Sequence, residues 1–539
     1  MKSSLLLILA NKKFLYQSNK SIYMRRSISL LSFALVLTLG MISFRKSEDG
    51  LGVIKTDAGQ VSGVINTTGD VYAFKGIPFA APPVGDLRWK EPQPVKPWGG
   101  VRKCESFGPS PMQEKPVPIS MWSEEFLIPK EPISEDCLYL NVWTAAKSAG
   151  EKRPVIVWIY GGGFLSGGSA VPIYDGEAMA KKGIVFVSIN YRVGVFGFFA
   201  HPELTKESGR NASGNYAIMD QLAALRWVKR NIAAFGGDPG NVTIAGQSAG
   251  SISVNILVAS PLGKDLFQKA IGESGASFSN PYTTLAKAEE AGEAYGKSLN
   301  APSLAGLRKV SADDLMKKAY SVWGAIVDGY VLPGSIASIF TAGNENKVPL
   351  LTGWNQEELM FFGTVKNAAE FKKEMNDKYG PDAQTVLENY PATDDSIAKI
   401  SQYMMSSDQI VGTQNFIWAN MQSDQGAKVY VYRFTHKVPG TGEYAKYGAF
   451  HSGELPYAYN NLKFANRPWK PGDHKLAEVM SSYWANFAAT GNPNGKGLPE
   501  WKPYNSKTNE IMILNEQCYS EKMPDLKPIE FLASKMGSK

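Results

Sequence analysis

The stretch Val155–Tyr160 (VIVWIY) is β-branched and aromatic without a polar break, and Ile184–Tyr191 (IVFVSINY) follows the same pattern. A strand with one face in water alternates apolar and polar residues; a run without that alternation is buried on both faces. Between and after these runs the period changes. Gly214–Phe235 places Ile218, Leu222, Leu225 and Ile232 at helical spacing, with Lys229 and Arg230 near its end, where cations suit a helix C-terminus. Val242–Ala245 reads as a short strand, Ser251–Ala259 as an apolar helix, and Val348–Trp354 and Val429–Phe434 as later strands. Strands alternating with helices call for an α/β fold, a mostly parallel sheet with helices on both faces.

The 539 residues are 44 % apolar and 20 % charged, which supports a sizeable core and excludes a disordered, collagenous or coiled-coil chain. The net charge of +7 is misleading. Residues 1–46 carry eight of the 57 Lys and Arg and none of the 50 Asp and Glu, so the other 493 residues carry one net negative charge. Nothing in that balance suggests the clustered positive field of a nucleic-acid surface. Arg25–Arg26 before the apolar run Ile28–Phe44 reads as a secretory leader, either cleaved (Thr38-Leu39-Gly40 is the best small-residue site) or retained as a membrane anchor. Residues 1–23 read as an upstream extension, with Met24 an alternative start. No cysteine follows the run, so lipid attachment is not expected. The expected organisation is a leader at 1–46 and a single catalytic domain at 47–539, exported to the periplasm or outside the cell. Export permits one disulfide among Cys104, Cys137 and Cys518, and Cys104 and Cys137 are the nearer pair. Residues 76–98, rich in proline, read as an irregular packed segment.

Gly246-Gln247-Ser248-Ala249-Gly250 is a G-x-S-x-G sequence. A chain this long and glycine-rich produces one by chance in roughly one case in three. Its setting removes that ambiguity: it follows a strand and opens an apolar helix, as a strained nucleophile turn requires. Gly161-Gly162-Gly163 directly after the first strand is a poor choice for stability, but it suits a backbone that must approach a ligand. With the amide of Ala249, Gly162 and Gly163 are candidate donors to an oxyanion, each worth about 3–4 kcal/mol in acyl transfer. A serine nucleophile needs a base. With the order Ser, acid, His, the choice lies between His451, on a long loop after Val429–Phe434, and His436, just after that strand; His201 precedes the serine, and His474 reads as exposed at a helix start. For the acid, Glu357 and Glu358 follow Val348–Trp354, and Asp328 lies on another loop.

These residues resemble the type-B carboxylesterases of the α/β-hydrolase fold, the group of the para-nitrobenzyl esterases and cholinesterases, from about Gly59 to Tyr519. Phe74-Lys75-Gly76-Ile77-Pro78-Phe79-Ala80, Pro82-Pro83-Val84-Gly85 and Leu87-Arg88-Trp89 resemble one family signature, and Ser134-Glu135-Asp136-Cys137-Leu138-Tyr139-Leu140-Asn141-Val142 a second. The resemblance implies a central sheet with large loop and helical insertions. It implies Ser248, Glu358 and His451 as the triad, an Arg88–Glu135 ion pair, and Cys137 as one half of a disulfide. The usual partner position near Pro111 is not cysteine here, which leaves Cys104 as the candidate partner. Gln247 stands where many relatives have Glu, which argues against a cationic substrate. The implied reaction is hydrolysis of neutral, hydrophobic esters through an acyl-enzyme, with a small-molecule ester as partner and no metal or organic cofactor. The alternatives are an inactive adhesion module and a triad hydrolase of thioesters, lactones or amides. Trp122 reads as an ordinary packed tryptophan; Phe164, Trp354, Phe361 and Phe362 either line an apolar gorge or belong to the core.

Overall fold

Eleven strands form the central sheet of the computed structural model, which describes residues 51–278, 282–322, 324–358 and 364–536. In chain order they are β1 (Val64–Ile65), β2 (Tyr72–Pro78), β3 (Tyr139–Thr144), β4 (Arg153–Ile159), β5 (Val185–Ile189), β6 (Gly237–Gln247), β7 (Lys269–Glu273), β8 (Leu350–Asn355), β9 (Val429–Phe434), β10 (Glu510–Leu514) and β11 (Tyr519–Lys522). The spatial order is β11-β10-β9-β8-β7-β6-β4-β5-β3-β2-β1. Strands β5, β4 and β6 to β10 are mutually parallel, and the strands beyond them on both edges pair antiparallel. This is the α/β-hydrolase arrangement expected from the sequence. The leader expected at 1–46 lies outside the described residues; Leu51–Lys539 form one compact unit.

The two apolar runs became β4 and β5, pleated side by side with Val157 opposite Val187. Val155 to Ile159 have no exposed surface, as strands covered by helices on both faces must. Helix α1 (Tyr216–Asn231) buries most of its length and ends on Lys229 and Arg230. Helix α2 (Ala249–Ala259) is apolar on nearly every side and is buried almost throughout. The register places β4, β6, β7 and β8 so that Ile159 pairs with Gly246, Gln247 with Glu273, and Glu273 with Gly353. Their carboxyl ends therefore finish at one level, where ligand sites form in open parallel sheets.

Two ion pairs, one partly and one fully buried, brace this end. Arg88 grips Glu135 through two bonds of 2.7 and 2.6 Å and donates to the Val310 carbonyl, tying the N-terminal segment to the turn at 307–310. Arg192, just past β5, meets Asp220 of α1 through bonds of 2.8 and 2.7 Å. The expected disulfide is absent: Cys104 and Cys137 are free and buried. Cys104 follows a strand of a separate small sheet, its amide bonded to the Ser62 carbonyl. Cys137 precedes β3 within the field of the Arg192–Asp220 pair. Burial pushes the Cys104 thiol up to about 11 and Cys137 well above its usual value, which keeps both protonated.

Asp220 is fully buried and Arg192 nearly so, so removing one partner strands a charge. Asp220→Ala is expected to lower the unfolding free energy by about 3–5 kcal/mol; chemical denaturation measures it, and an unchanged midpoint would show that the pair does not brace the fold.

Candidate active site

At the end of β6 the backbone turns on Ser248 with φ 58° and ψ −125°, and α2 starts at the next residue. A non-glycine residue there is strained. The flanking glycines permit the turn. A Cβ at Gly250 would overlap the Ile159 carbonyl of β4, and one at Gly246 would overlap the Gly250 carbonyl. The Ser248 amide donates to the Glu273 carbonyl at 2.9 Å, which anchors the turn to β7.

The triple-glycine loop lies opposite. A Cβ on Gly161 would stand 2.6 Å from the Gln247 carbonyl oxygen, so loop and turn are in contact. Gly162 and Gly163 take φ of 113° and 63°, the region that favours glycine. The loop is clamped at both ends. Tyr160 and Tyr191 stack with centroids 4.2 Å apart, and each hydroxyl donates to the other's carbonyl, at 2.7 and 2.8 Å. Further on, the Gln113 side chain pairs with the backbone of Gly167 through bonds of 2.7 and 2.8 Å. Among the described residues the amides of Gly162, Gly163 and Ala249 have no hydrogen-bond acceptor. Three donors are thus left facing no partner around the serine turn.

Glu358 and His451, 93 residues apart, meet at 2.5 Å between Oε2 and Nδ1. Both are almost wholly buried. The other Glu358 oxygen accepts from the Ser274 hydroxyl and the Asn355 amide, both at 2.7 Å. Ser274 follows β7 and Asn355 ends β8, so two strand ends hold the carboxylate. Burial alone would favour a neutral His451 ring. The charge and hydrogen bond of Glu358 and the charge of Glu454 outweigh it, holding His451 above the usual histidine value. Glu454 is itself raised, by burial and by the charges of Glu273 and Glu358, and burial raises Glu273.

The rivals are engaged elsewhere. His436 meets Asp473 at 2.7 Å, His201 accepts from the Glu203 amide, and His474 is exposed. Asp328 accepts from three backbone amides of its own loop, and Glu357 from the Ala449 amide. Ser274, Asn355 and Glu454 were not singled out in the sequence. Ser274 stands just past the end of β7, a strand that the sequence pattern does not mark.

Ser248, His451, Gly162 and Gly163 line one cavity of about 720 Å³ with Trp122, Phe126, Leu165, Phe196 and Val322. Trp122 is therefore not a plain core residue: its ring lies edge-on to His451 at 6.2 Å and its indole N–H donates to Ser452. Phe164 and Trp354 are buried in the core, and Phe361 and Phe362 lie outside the described residues. Among the described residues no group of three or more His, Cys, Asp and Glu is arranged to hold a metal ion.

A carboxylesterase family model matches residues 51–531. The chain belongs to the carboxylesterase family. It is 35 % identical to the fumonisin B1 esterase of Sphingopyxis macrogoltabida, over 92 % of each chain. It is 34 % identical to the para-nitrobenzyl esterase of Bacillus subtilis strain 168, over 88 % of this chain and 96 % of that one. Carboxylesterase 1D of Mus musculus is also 34 % identical, over 89 % and 92 %. The protein is accordingly a serine carboxylic-ester hydrolase of the type-B group.

In this carboxylesterase, Ser274→Ala leaves Glu358 Oε1 with a single donor. Loss of about 1 kcal/mol of orientation is expected to lower kcat roughly five-fold with KM unchanged for a short-chain aryl ester; wild-type kcat would show that the hydroxyl does not orient the acid.

Proposed function

We propose that ester hydrolysis runs by two-step acyl transfer on Ser248, with His451 as base and Glu358 as its orienting acid. The observation that carries this reading is the 2.5 Å Glu358–His451 contact beside a cavity wall that also holds the strained serine. Neutral His451 takes the Ser248 proton at Nε2 as the oxygen attacks the ester carbonyl. The tetrahedral oxyanion forms against the amides of Gly162, Gly163 and Ala249, which have no other acceptor to give up. His451 returns the proton to the leaving alcohol, and water repeats the sequence on the acyl-enzyme to release the acid. Glu358 keeps the ring proton on Nδ1 and stabilises the imidazolium.

The substrate range we infer is broad, neutral and hydrophobic. The residue beside the nucleophile is the uncharged Gln247, and the charged lining residues Glu114, Lys115 and Lys318 are exposed. Val117, Ile119 and Leu165 carry the apolar lining out to solvent, at 68, 64 and 54 % exposure. Among the described residues no helix is long and apolar enough to cross a membrane. We infer export from Arg25–Arg26 and the apolar run after them.

Ser248→Ala is expected to abolish turnover of a short-chain aryl ester with an unchanged circular dichroism spectrum; retained activity would overturn the assignment. The base works only when neutral, so kcat/KM should fall as pH drops through the His451 value. That acidic limb is expected above 6.5, the ordinary histidine value. A profile flat from about pH 5 to 9 would exclude His451. Across acyl chains from acetate to decanoate, KM should fall with length; a preference for charged acyl groups would contradict the inferred range.

A further inference from the structure

Gln247 is the last residue of β6 and is 2 % exposed, yet its side chain is not merely filling space. Its amide nitrogen lies 3.1 Å from His451 Nε2. The chemistry of the ring fixes which way that amide faces. His451 Nδ1 meets a carboxylate oxygen, which only accepts, so the neutral ring carries its proton there and offers a lone pair at Nε2. A lone pair needs a donor. The amide NH₂ supplies one, whereas the amide oxygen would be repelled. Among the described residues no hydrogen bond runs from the Ser248 hydroxyl to this nitrogen, so in the resting enzyme the amide holds the place.

We propose that Gln247 is a positioning residue for the base: it donates to His451 Nε2, parks the neutral ring with its proton on Nδ1, and keeps the seat beside Ser248 free of charge. The inference rests on the reading of Ser248, His451 and Glu358 as the triad. The contact favours one protonation state only. Once the Ser248 proton reaches Nε2, donor meets donor and the bond to Gln247 is lost. The imidazolium N–H is then free to turn to the leaving alcohol oxygen. A carboxylate at position 247 would do the reverse: it would accept from the imidazolium and favour the charged ring.

The carboxylates facing the ring push it toward the charged form. Glu358 comes from the segment after β8, and Glu454 from the turn that carries His451. Glu273, at the end of β7, stands behind Glu454. Glu357 lies against the backbone at Ala449, and Arg467 stacks over the neighbouring Phe450 ring at 5.3 Å. Trp122 closes the remaining side with a ring edge. Against these acids, the Gln247 amide donates to the neutral base.

The test compares kcat/KM against pH for a neutral short-chain aryl ester in the wild type, Gln247→Glu and Gln247→Met. In Gln247→Glu the acidic limb is expected to move up by about one unit or more. In Gln247→Met, which keeps the volume and loses the donor, a smaller upward move with a several-fold lower kcat is expected. A limb that coincides with the wild type in Gln247→Glu would overturn the proposal, whatever happens to kcat. If that variant does not fold, Gln247→Met alone decides by the same shift. His451→Asn separates the two readings. Activity in that variant would sink the triad itself; an inactive His451→Asn with an unmoved limb in Gln247→Glu would sink only the role of Gln247.

Discussion

Position 250 has no room for a side chain, because the Ile159 carbonyl of the neighbouring strand fills the space a Cβ would take. That close approach is what the site depends on. It draws the first turn of α2 against the end of β4. The backbone at Ser248 is thereby forced into a conformation that only surrounding structure can hold, and the Gly161 backbone is brought against the Gln247 carbonyl. Serine and triple-glycine loop are thus placed by one steric constraint between two adjacent parallel strands. The Tyr160–Tyr191 stack then fixes the loop from behind, and the Ser248–Glu273 backbone bond fixes the turn from the side.

How much of this could be read from the sequence follows from the range of the forces involved. Strands β4, β5, β8 and β9 were legible because burial on both faces leaves an apolar run, whereas β7, with a glycine and a glutamate in five residues, was not read. The serine turn and the glycine loop were legible because their requirements are local. Strand β6 was harder: it starts at Gly237, not Val242, since Gly237 pairs with Arg153 before an irregular Asp-Pro-Gly stretch that has the composition of a loop. Helix α2 begins at Ala249 rather than Ser251, because the strained serine ends the strand with no connecting residue. Tyr72–Pro78 is a strand next to the edge of the sheet, and its end, Gly76–Pro78, falls in the proline-rich segment 76–98 that reads as irregular.

The proposed acid and base were not legible on those terms. His451 and His436 both follow β9, and each has an acidic partner from a distant segment: Glu358 after β8 for one, Asp473 of α3 (Pro471–Thr490) for the other. Nothing in the spacing says which pair faces the serine. That is set by the strand order, and it is the family resemblance, not periodicity, that singles out Glu358 and His451. The same reason hid Ser274 and Asn355, whose role appears only when β7 and β8 finish at the same level. Trp122, read as a packed residue, lies edge-on to the His451 ring and lines the cavity.

The buried acids give the site its electrostatic character. Glu358 is satisfied by two donors besides the histidine, while Glu454 and Glu273 are pushed up by burial and each leaves one oxygen without a partner. In the proposed mechanism the Glu358 carboxylate stabilises the protonated ring during attack, and the Gln247 amide favours the neutral ring before it. The central proposal is that the Ser248 oxygen is activated by the His451 ring, and that the ester oxyanion its attack creates is received by backbone amides that have no other acceptor among the described residues. Mass spectrometry after incubation with a neutral aryl organophosphonate reads it most directly. The expected result is a single adduct on the peptide carrying Ser248, lost in His451→Asn. An intact unlabelled enzyme, or an adduct on another residue, would contradict the account.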